Sequence, residues 1–104
     1  MDIIFIDKKM KRFYESHSTA LKNLGDRNAK IFVQRIQEIE AANTIAILET
    51  LPGRLHSSHG TNKGQYALDM LHPKRLIIQP LLDKDQVSPN QATKVMILGI
   101  TDYH

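Results

Sequence analysis

The chain closes with the stretch KVMILGITDYH, residues 94–104, in which an apolar run passes directly into three polar residues. A run of Val, Met, Ile and Leu is typical of a strand that is buried within a sheet. A chain terminus is usually ordered only where other parts of the fold hold it, so a central strand would carry Asp102, Tyr103 and His104 on a rigid support. These three could act as base, stacking platform and acid, whereas composition alone favours a solvated polar tail.

The composition limits the chain to a few classes of protein. Its 104 residues leave room for a single domain, residues 1–104. The absence of cysteine excludes disulfides, thiolate metal sites and cysteine nucleophiles. A formal net charge of +3 permits anionic partners such as nucleic acid without requiring them. No apolar window approaches the roughly 18 residues of a membrane span, and the first residues do not resemble a signal peptide, so we expect a cytoplasmic protein.

The first half of the chain has the spacing of one short strand followed by helices. Residues 3–6 are predicted to form the strand, and Asp7 to cap the helix that follows it. Apolar spacing then predicts either one helix over about residues 8–24 or two helices broken near residues 16–19, with Gly25 as a left-handed cap. Asp26 is predicted to be the N-cap of the next helix, and a short helical turn is expected over residues 45–50. The helix that follows Asp26 is predicted to have an apolar face formed by Ala29, Phe32, Val33, Ile36 and Ile39.

The second half changes to the alternation of strands. After a polar connector over residues 54–64, we expect a strand over 65–71, a turn at 72–74 and a strand over 75–79 that Pro80 stops. Residues 81–93 are predicted to form an exposed, mobile loop before the final strand. The order β-α-α-(short α)-β-β-β indicates an α+β domain, in which an N-terminal strand and a helical hairpin pack on a mainly antiparallel four-stranded sheet.

Polar residues that can carry chemistry lie at the ends of the predicted strands. The spacing of these residues allows them to meet without requiring it. His56 and His59 are three residues apart, but without cysteine or a helical frame this pair is weak evidence for a metal site, and we expect neither metal nor cofactor. The candidates are Arg54, His56, His59, Arg75, Asp102, Tyr103 and His104.

Four segments resemble the HigB-type plasmid-maintenance killer proteins of the RelE/ParE toxin superfamily. They are LPGRLH at 51–56, KGQY at 63–66, RLII at 75–78 and the closing DYH at 102–104. The resemblance implies a RelE-like fold and the toxin of a type II toxin–antitoxin system. Such a toxin is an mRNA interferase, an endoribonuclease that enters the ribosomal A site and cleaves the mRNA there.

The resemblance also assigns roles by position. It implies that His56, Asp102 and His104 supply acid–base chemistry, that Tyr103 occupies the family tyrosine position and that Arg75 contacts the scissile phosphate. The reaction implied is metal-independent attack of a ribose 2′-hydroxyl on that phosphate, for which a histidine is suited as proton donor or acceptor. The residues expected to bind RNA or the ribosome are Arg54, His59, Lys63, Lys8, Lys9, Lys11 and Arg12.

The implied partners are a helix-turn-helix, HigA-like antitoxin, the ribosome with its mRNA, and operator DNA through the antitoxin complex, with no membrane. Two alternatives remain open. One is a non-enzymatic inhibitor of DNA gyrase, as in the ParE-like members, and the other is an inactive toxin-fold interaction module. A pure binder has no need of acid–base groups, so the pair His56 and His104 favours the nuclease. The basic residues at 8–12 also fit an ordinary solvated helix face.

Overall fold

A computed structural model of the protein describes residues 1–57 and 64–102. The strands are β1 (Asp2–Phe5), β2 (His56–Ser57), β3 (Tyr66–Asp69), β4 (Lys74–Leu81) and β5 (Lys94–Asp102). The helices are α1 (Lys8–Glu15), α2 (His17–Leu24), α3 (Asp26–Ala41) and the single turn α4 (Ile45–Leu48). A 3₁₀ turn, Pro89–Gln91, precedes β5.

The strands form one mixed sheet in the order β1-β5-β4-β3-β2. The closing strand β5 lies inside the sheet, between β1 and β4, as its apolar composition predicts. It runs parallel to β1, whereas the other three neighbouring pairs are antiparallel. The α+β class is therefore confirmed, but the expected four strands are five within the described residues. The additional strand, His56–Ser57, is too short for its sequence to show any alternation.

Side-chain caps divide the first helical region into two helices. The Asp7 carboxylate accepts from the Met10 amide at 2.9 Å and begins α1, as predicted. The Ser16 hydroxyl accepts from the Thr19 amide at 3.3 Å and begins α2, so the broken-helix alternative is correct. Gly25 ends α2 with φ of 82°, but its ψ of 166° is extended rather than left-handed helical. The prediction that Asp26 is an N-cap was wrong, because Gly25 holds that position and Asp26 is the first residue of α3.

Within residues 1–57 and 64–102, the helices pack against one face of the sheet and leave the other face without a helix. Both α1 and α2 contact α3, as expected for a helical hairpin. Four of the five predicted apolar residues of α3 are fully buried, and Val33 is half-buried. The rings of Phe13 and Phe32 meet edge to face with centroids 6.1 Å apart. The buried strand residues that complete this core are Leu68, Leu76, Ile78, Val95 and Ile97.

Two expectations for the second half require correction. Pro80 does not stop β4, which continues to Leu81. The pairing of β4 with β3 ends at Ile78. Pro80 lacks an amide hydrogen, but at its position β3 offers no partner to which that hydrogen would bond.

The segment before β5, residues 82–93, is also more ordered than its composition suggests. The Gln91 amide oxygen accepts from the backbone amides of Val87 and Ser88, at 2.9 and 3.2 Å. Ala92 is fully buried, and its carbonyl accepts from the Ile45 amide at 3.3 Å. The Ala92 bond attaches the predicted loop to α4, and the Gln91 bonds hold the loop internally, while most of its residues are exposed as predicted.

Candidate active site on the open face of the sheet

Strand register places several polar residues on the face of the sheet that the helices do not cover, here called the open face. Side chains alternate along a strand, and directly paired residues project to the same side. Leu68 and Leu76 point into the helical core, so their neighbours Asp69 and Arg75, which pair with each other, lie on the open face. Thr101 pairs with Arg75 from the other side and belongs to the same face.

His56 reaches the open face through the same register. It pairs with Ala67, and Ala67 pairs with Ile77, two residues beyond Arg75 on β4. Standard strand spacings put the Cα atoms of His56 and Arg75 about 12 Å apart. Two long side chains at that separation can both reach a group bound between them. The structure thus places two of the predicted catalytic residues on one surface.

Asp69 joins the two arginines of this surface. Its Oδ2 lies 2.6 Å from Arg54 Nε, and its Oδ1 lies 3.3 Å from Arg75 Nε. The main chain of Asp69 is fixed as well, because its amide donates to the Gly53 carbonyl at 2.8 Å and its carbonyl accepts from Arg35 Nε at 2.7 Å. Asp69 therefore holds both guanidinium groups from a rigid position.

The two arginines differ in exposure. The Arg75 side chain is only 15% exposed, whereas that of Arg54 is 73% exposed. The Arg75 Nη1 also donates to the Lys74 carbonyl at 3.1 Å. Arg75 is thus fixed within the surface, and Arg54 projects into solvent beside it.

The His56 ring is oriented by the backbone that precedes it. Its Nδ1 lies 2.7 Å from the Arg54 carbonyl oxygen. A carbonyl can only accept, so Nδ1 carries the hydrogen and Nε2 is left to exchange a proton. Arg54 adopts φ of 52°, in the left-handed region that non-glycine residues rarely occupy. Such strain is found preferentially at functional sites, and here it occurs at the residue whose carbonyl orients His56.

The predicted acid Asp102 lies elsewhere. Its Oδ1 is 2.6 Å from Lys74 Nζ, with which it pairs across β4 and β5. Alternation places this pair on the side of Leu76 and Ile100, opposite to that of Arg75 and Thr101. The structure therefore does not bring Asp102 to the surface shared by His56 and Arg75. Four other predicted site residues lie outside the described ranges: His59, Lys63, Tyr103 and His104.

The basic residues of α1 lie at the far edge of the sheet from His56. Lys8, Lys9, Lys11 and Arg12 are all exposed. Lys8 and Lys11 line a groove of about 510 Å³ along β1, which is the edge strand opposite β2. The Lys9 ammonium lies 5.9 Å from the centroid of the Phe13 ring. These cations are thus separated from His56 by the width of the sheet.

Asp69 was not among the residues predicted for the site. It occurs within a predicted strand, where a single carboxylate gives no signal of its partners. Its contacts depend on Arg54, fifteen residues earlier, and on Arg75 in the next strand. The alternation of the strand does show that Asp69 and Leu68 occupy opposite faces, which is the only sequence signal available.

Tyr14 is a titratable residue outside this surface and contacts Glu40 between the helices. A hydrogen bond of 2.7 Å from the Tyr14 hydroxyl to Glu40, followed by burial, raises the pKa of Tyr14. This contact ties α1 to α3 and belongs to the packing of the helices. Within residues 1–57 and 64–102, no three His, Asp or Glu side chains are grouped to hold a metal ion. The helices of these ranges include none with the length and hydropathy to cross a membrane.

No protein-family model matches the chain, and no curated protein matches it.

Proposed function

We propose that this protein is the toxin of a type II toxin–antitoxin system, with a RelE-like fold, and that it cleaves mRNA on the ribosome. The observation that carries the proposal is the common surface of His56 and Arg75 on the open face of the sheet. A proton-exchanging imidazole and a cation fixed on one helix-free surface suit the cleavage of a phosphodiester.

The proposed reaction needs a base, an acid and a cation. The ribose 2′-oxygen attacks the adjacent phosphorus and loses its proton to the base, while the bond from phosphorus to the 5′-oxygen breaks. The acid protonates that leaving oxygen, and the products are a 2′,3′-cyclic phosphate and a 5′-hydroxyl. His56 Nε2 serves as one of the two proton-exchanging groups, and His104, from the resemblance, as the other. Tyr103 is proposed to stack on a base.

Arg75 is proposed to offset the charge that develops on the phosphate. A guanidinium offers a fixed fork of donors, which a lysine ammonium does not match. Asp69 is proposed to hold that fork in place through its 3.3 Å contact with Arg75 Nε. The exposed Arg54 adds a second cation beside it.

The proposed setting follows from this activity. Ribosomes and mRNA are cytoplasmic, so the toxin acts in the cytoplasm. A HigA-like antitoxin with a helix-turn-helix domain is proposed to inhibit it and to link it to operator DNA. Asp102 is retained as a candidate of lower rank, since it pairs with Lys74 on the other side of the sheet.

The proposal is tested by mapping mRNA ends by primer extension after brief induction of the protein in cells. We expect new, site-specific ends with wild type. We expect them to be lost with His56→Ala, which removes the proton-exchanging ring, and reduced at least about tenfold with Arg75→Lys, which keeps the charge but not the fork. His17→Ala is the matched control, because His17 is exposed on α2 and outside the proposed site.

Two results would overturn the proposal. If a folded His56→Ala protein cleaved mRNA as well as wild type, the active site would not lie on the open face. Intact mRNA accompanied by induction of the DNA-damage response would instead indicate the gyrase inhibitor. Thermal unfolding of each variant establishes that a loss of cleavage is not a loss of folding.

A further inference from the structure

A depression of about 360 Å³ lies on the open face beside Arg75. Ile77, Gly99 and Thr101 line it, and the strand register places all three on that face. Ile77 pairs with Gly99, and Thr101 pairs with Arg75. Ile6, Gln65, Leu98 and Ile100 complete the lining, and of these Ile100 pairs with the core residue Leu76. The depression therefore borders the proposed phosphate site, because its lining residue Thr101 pairs directly with Arg75.

A glycine and a bulge create this space. The register of β4 and β5 shifts between Ile77 and Ile78, which leaves Leu98 without a partner on β4. A bulge of this kind bends the strand and increases its twist, which makes the surface concave. At Gly99, a Cβ atom would find no heavy atom within 4 Å, and its φ is not in the left-handed region. Neither strain nor close packing demands glycine there, so Gly99 serves to keep the depression open.

We propose that this depression binds one nucleobase of a single-stranded RNA, and this inference rests on the proposed ribonuclease function. Its apolar walls of Ile6, Ile77 and Leu98 offer the flat contact that an unstacked base requires. The Gln65 amide and the Thr101 hydroxyl stand at the wall, where they can bond the edge of the base.

Charges on both sides favour a nucleotide over an apolar peptide. Arg75 adjoins the depression through Thr101. On the other side, Ile6 is followed two residues later by Lys8, which lines a groove along β1 together with Lys11 and the carboxylate-bearing Asp7. A base seated between two sets of cations allows its flanking phosphates to be bound at both ends.

The first experiment observes binding directly by NMR, with methyl groups of Ile6, Ile77 and Leu98 labelled. The probes are the four ribonucleoside 5′-monophosphates, with ribose 5-phosphate and inorganic phosphate as controls that lack a base. We expect saturable shifts of all three methyl groups with at least one nucleotide and none with either control. Equal shifts with ribose 5-phosphate, or no shifts with any nucleotide, would refute the base site.

The second experiment fills the depression. Gly99→Leu adds a side chain where there is open space, so the protein should remain folded. The matched control is Gln79→Leu, which adds the same side chain on the same face, opposite Met96 and outside the depression. We expect Gly99→Leu to abolish the nucleotide shifts and to lower ribosome-dependent cleavage about tenfold or more, as for the loss of one stacked base. Gln79→Leu should retain both.

The outcomes separate this inference from the proposed function. If wild type cleaves and Gly99→Leu cleaves equally well at the same sites, the base site is wrong and the nuclease stands. If wild type does not cleave, the nuclease fails, and the nucleotide titration still decides whether the depression binds a base. If Gly99→Leu loses antitoxin binding and keeps cleavage, the depression belongs to a protein interface and the inference is overturned.

Discussion

Asp69 is the residue on which the geometry of the candidate site depends. Its carboxylate contacts the side chains of Arg54 and Arg75, and its main chain contacts Gly53 and Arg35. The carboxylate therefore links the connector before β2 to the paired strands β3 and β4. A partly buried guanidinium needs such a partner, because an uncompensated charge of low exposure is unfavourable.

We expect Asp69→Asn to lower the free energy of unfolding by about 1–3 kcal/mol, because Arg75 loses a charged partner while its own exposure is low. The substitution preserves the shape of the side chain. Urea denaturation measures the change, with Asp85→Asn as the control, since Asp85 is exposed in the segment before β5. The control should change by less than about 0.5 kcal/mol. Equal effects from both would mean that the arginine contacts of Asp69 contribute nothing to stability.

At the scale of elements, long periodic segments were predictable and short ones were not. The strand β5 and the apolar face of α3 follow from their composition and spacing. The strand β2 has two residues and exists only because β3 offers an edge to pair with. The order of residues 82–93 depends on hydrogen bonds of the Gln86 and Gln91 side chains and on the bond from the Ile45 amide to the Ala92 carbonyl. The pairing of β2 and the contact of Ala92 with Ile45 are tertiary, so composition does not encode them, whereas the capping box of Ser88 and Gln91 is a local pattern that the sequence does contain.

The candidate site shows the same limit. His56 and Arg75 were selected because they lie at the ends of predicted strands and match positions of the family that the sequence resembles, but their common face depends on the register of β2, β3 and β4. Alternation within β5 separates Asp102 from Thr101, and that distinction required knowing which face of the strand is buried. Asp69 required both strands to be paired before its role was visible.

Gly53 connects helix α3 to the site through close packing. A Cβ atom at this position would lie 2.8 Å from Glu38 Oε1, 2.9 Å from Arg35 Cδ and 3.0 Å from Leu68 Cδ2. The first two distances are shorter than real Cβ contacts and the third is tight, so an added methyl group must displace Arg35 Cδ and the flexible end of Glu38. The displaced Arg35 is the residue that donates to the Asp69 carbonyl.

We therefore expect Gly53→Ala to lower the free energy of unfolding by about 1–3 kcal/mol through overpacking. The control is Gly99→Ala, where the added methyl group meets open space and the change should stay below about 1 kcal/mol. Both are measured by urea denaturation. In a double-mutant cycle, Glu38→Ala should reduce the effect of Gly53→Ala, since it removes the nearest atom. Strict additivity would contradict the packing explanation.

At the scale of the molecule, one face of the sheet builds the core and the other carries the candidate chemistry. The open face extends from His56 on one edge strand to β1 on the other, where the cations of α1 begin. The net charge is only +3, but cations lie at both ends of this one face. A polyanion crossing the face would meet Arg75 at one end and Lys8 and Lys11 at the other.

The proposed function predicts that the α1 cations contribute to the salt dependence of ribosome binding. Replacing Lys8 and Lys11 by Glu should weaken binding at low salt and flatten the plot of log affinity against log salt concentration by about 0.7–0.9 for each phosphate that is no longer bound. Folding should be retained, since acidic residues are favourable in the first turn of a helix, where Lys8 and Lys11 lie in α1. Sedimentation with purified ribosomes over a range of salt concentrations gives the slope.

The matched variant replaces Lys22 and Lys84 by Glu, which changes the net charge of the protein by the same amount at two other exposed positions. If binding responded only to net charge, the two double variants would lose affinity equally and with the same slope. If the α1 cations contact RNA phosphates, only the variant at Lys8 and Lys11 flattens the slope, because counterions are released only where lysine and phosphate meet. Identical slopes would therefore assign the cluster to an ordinary solvated helix face.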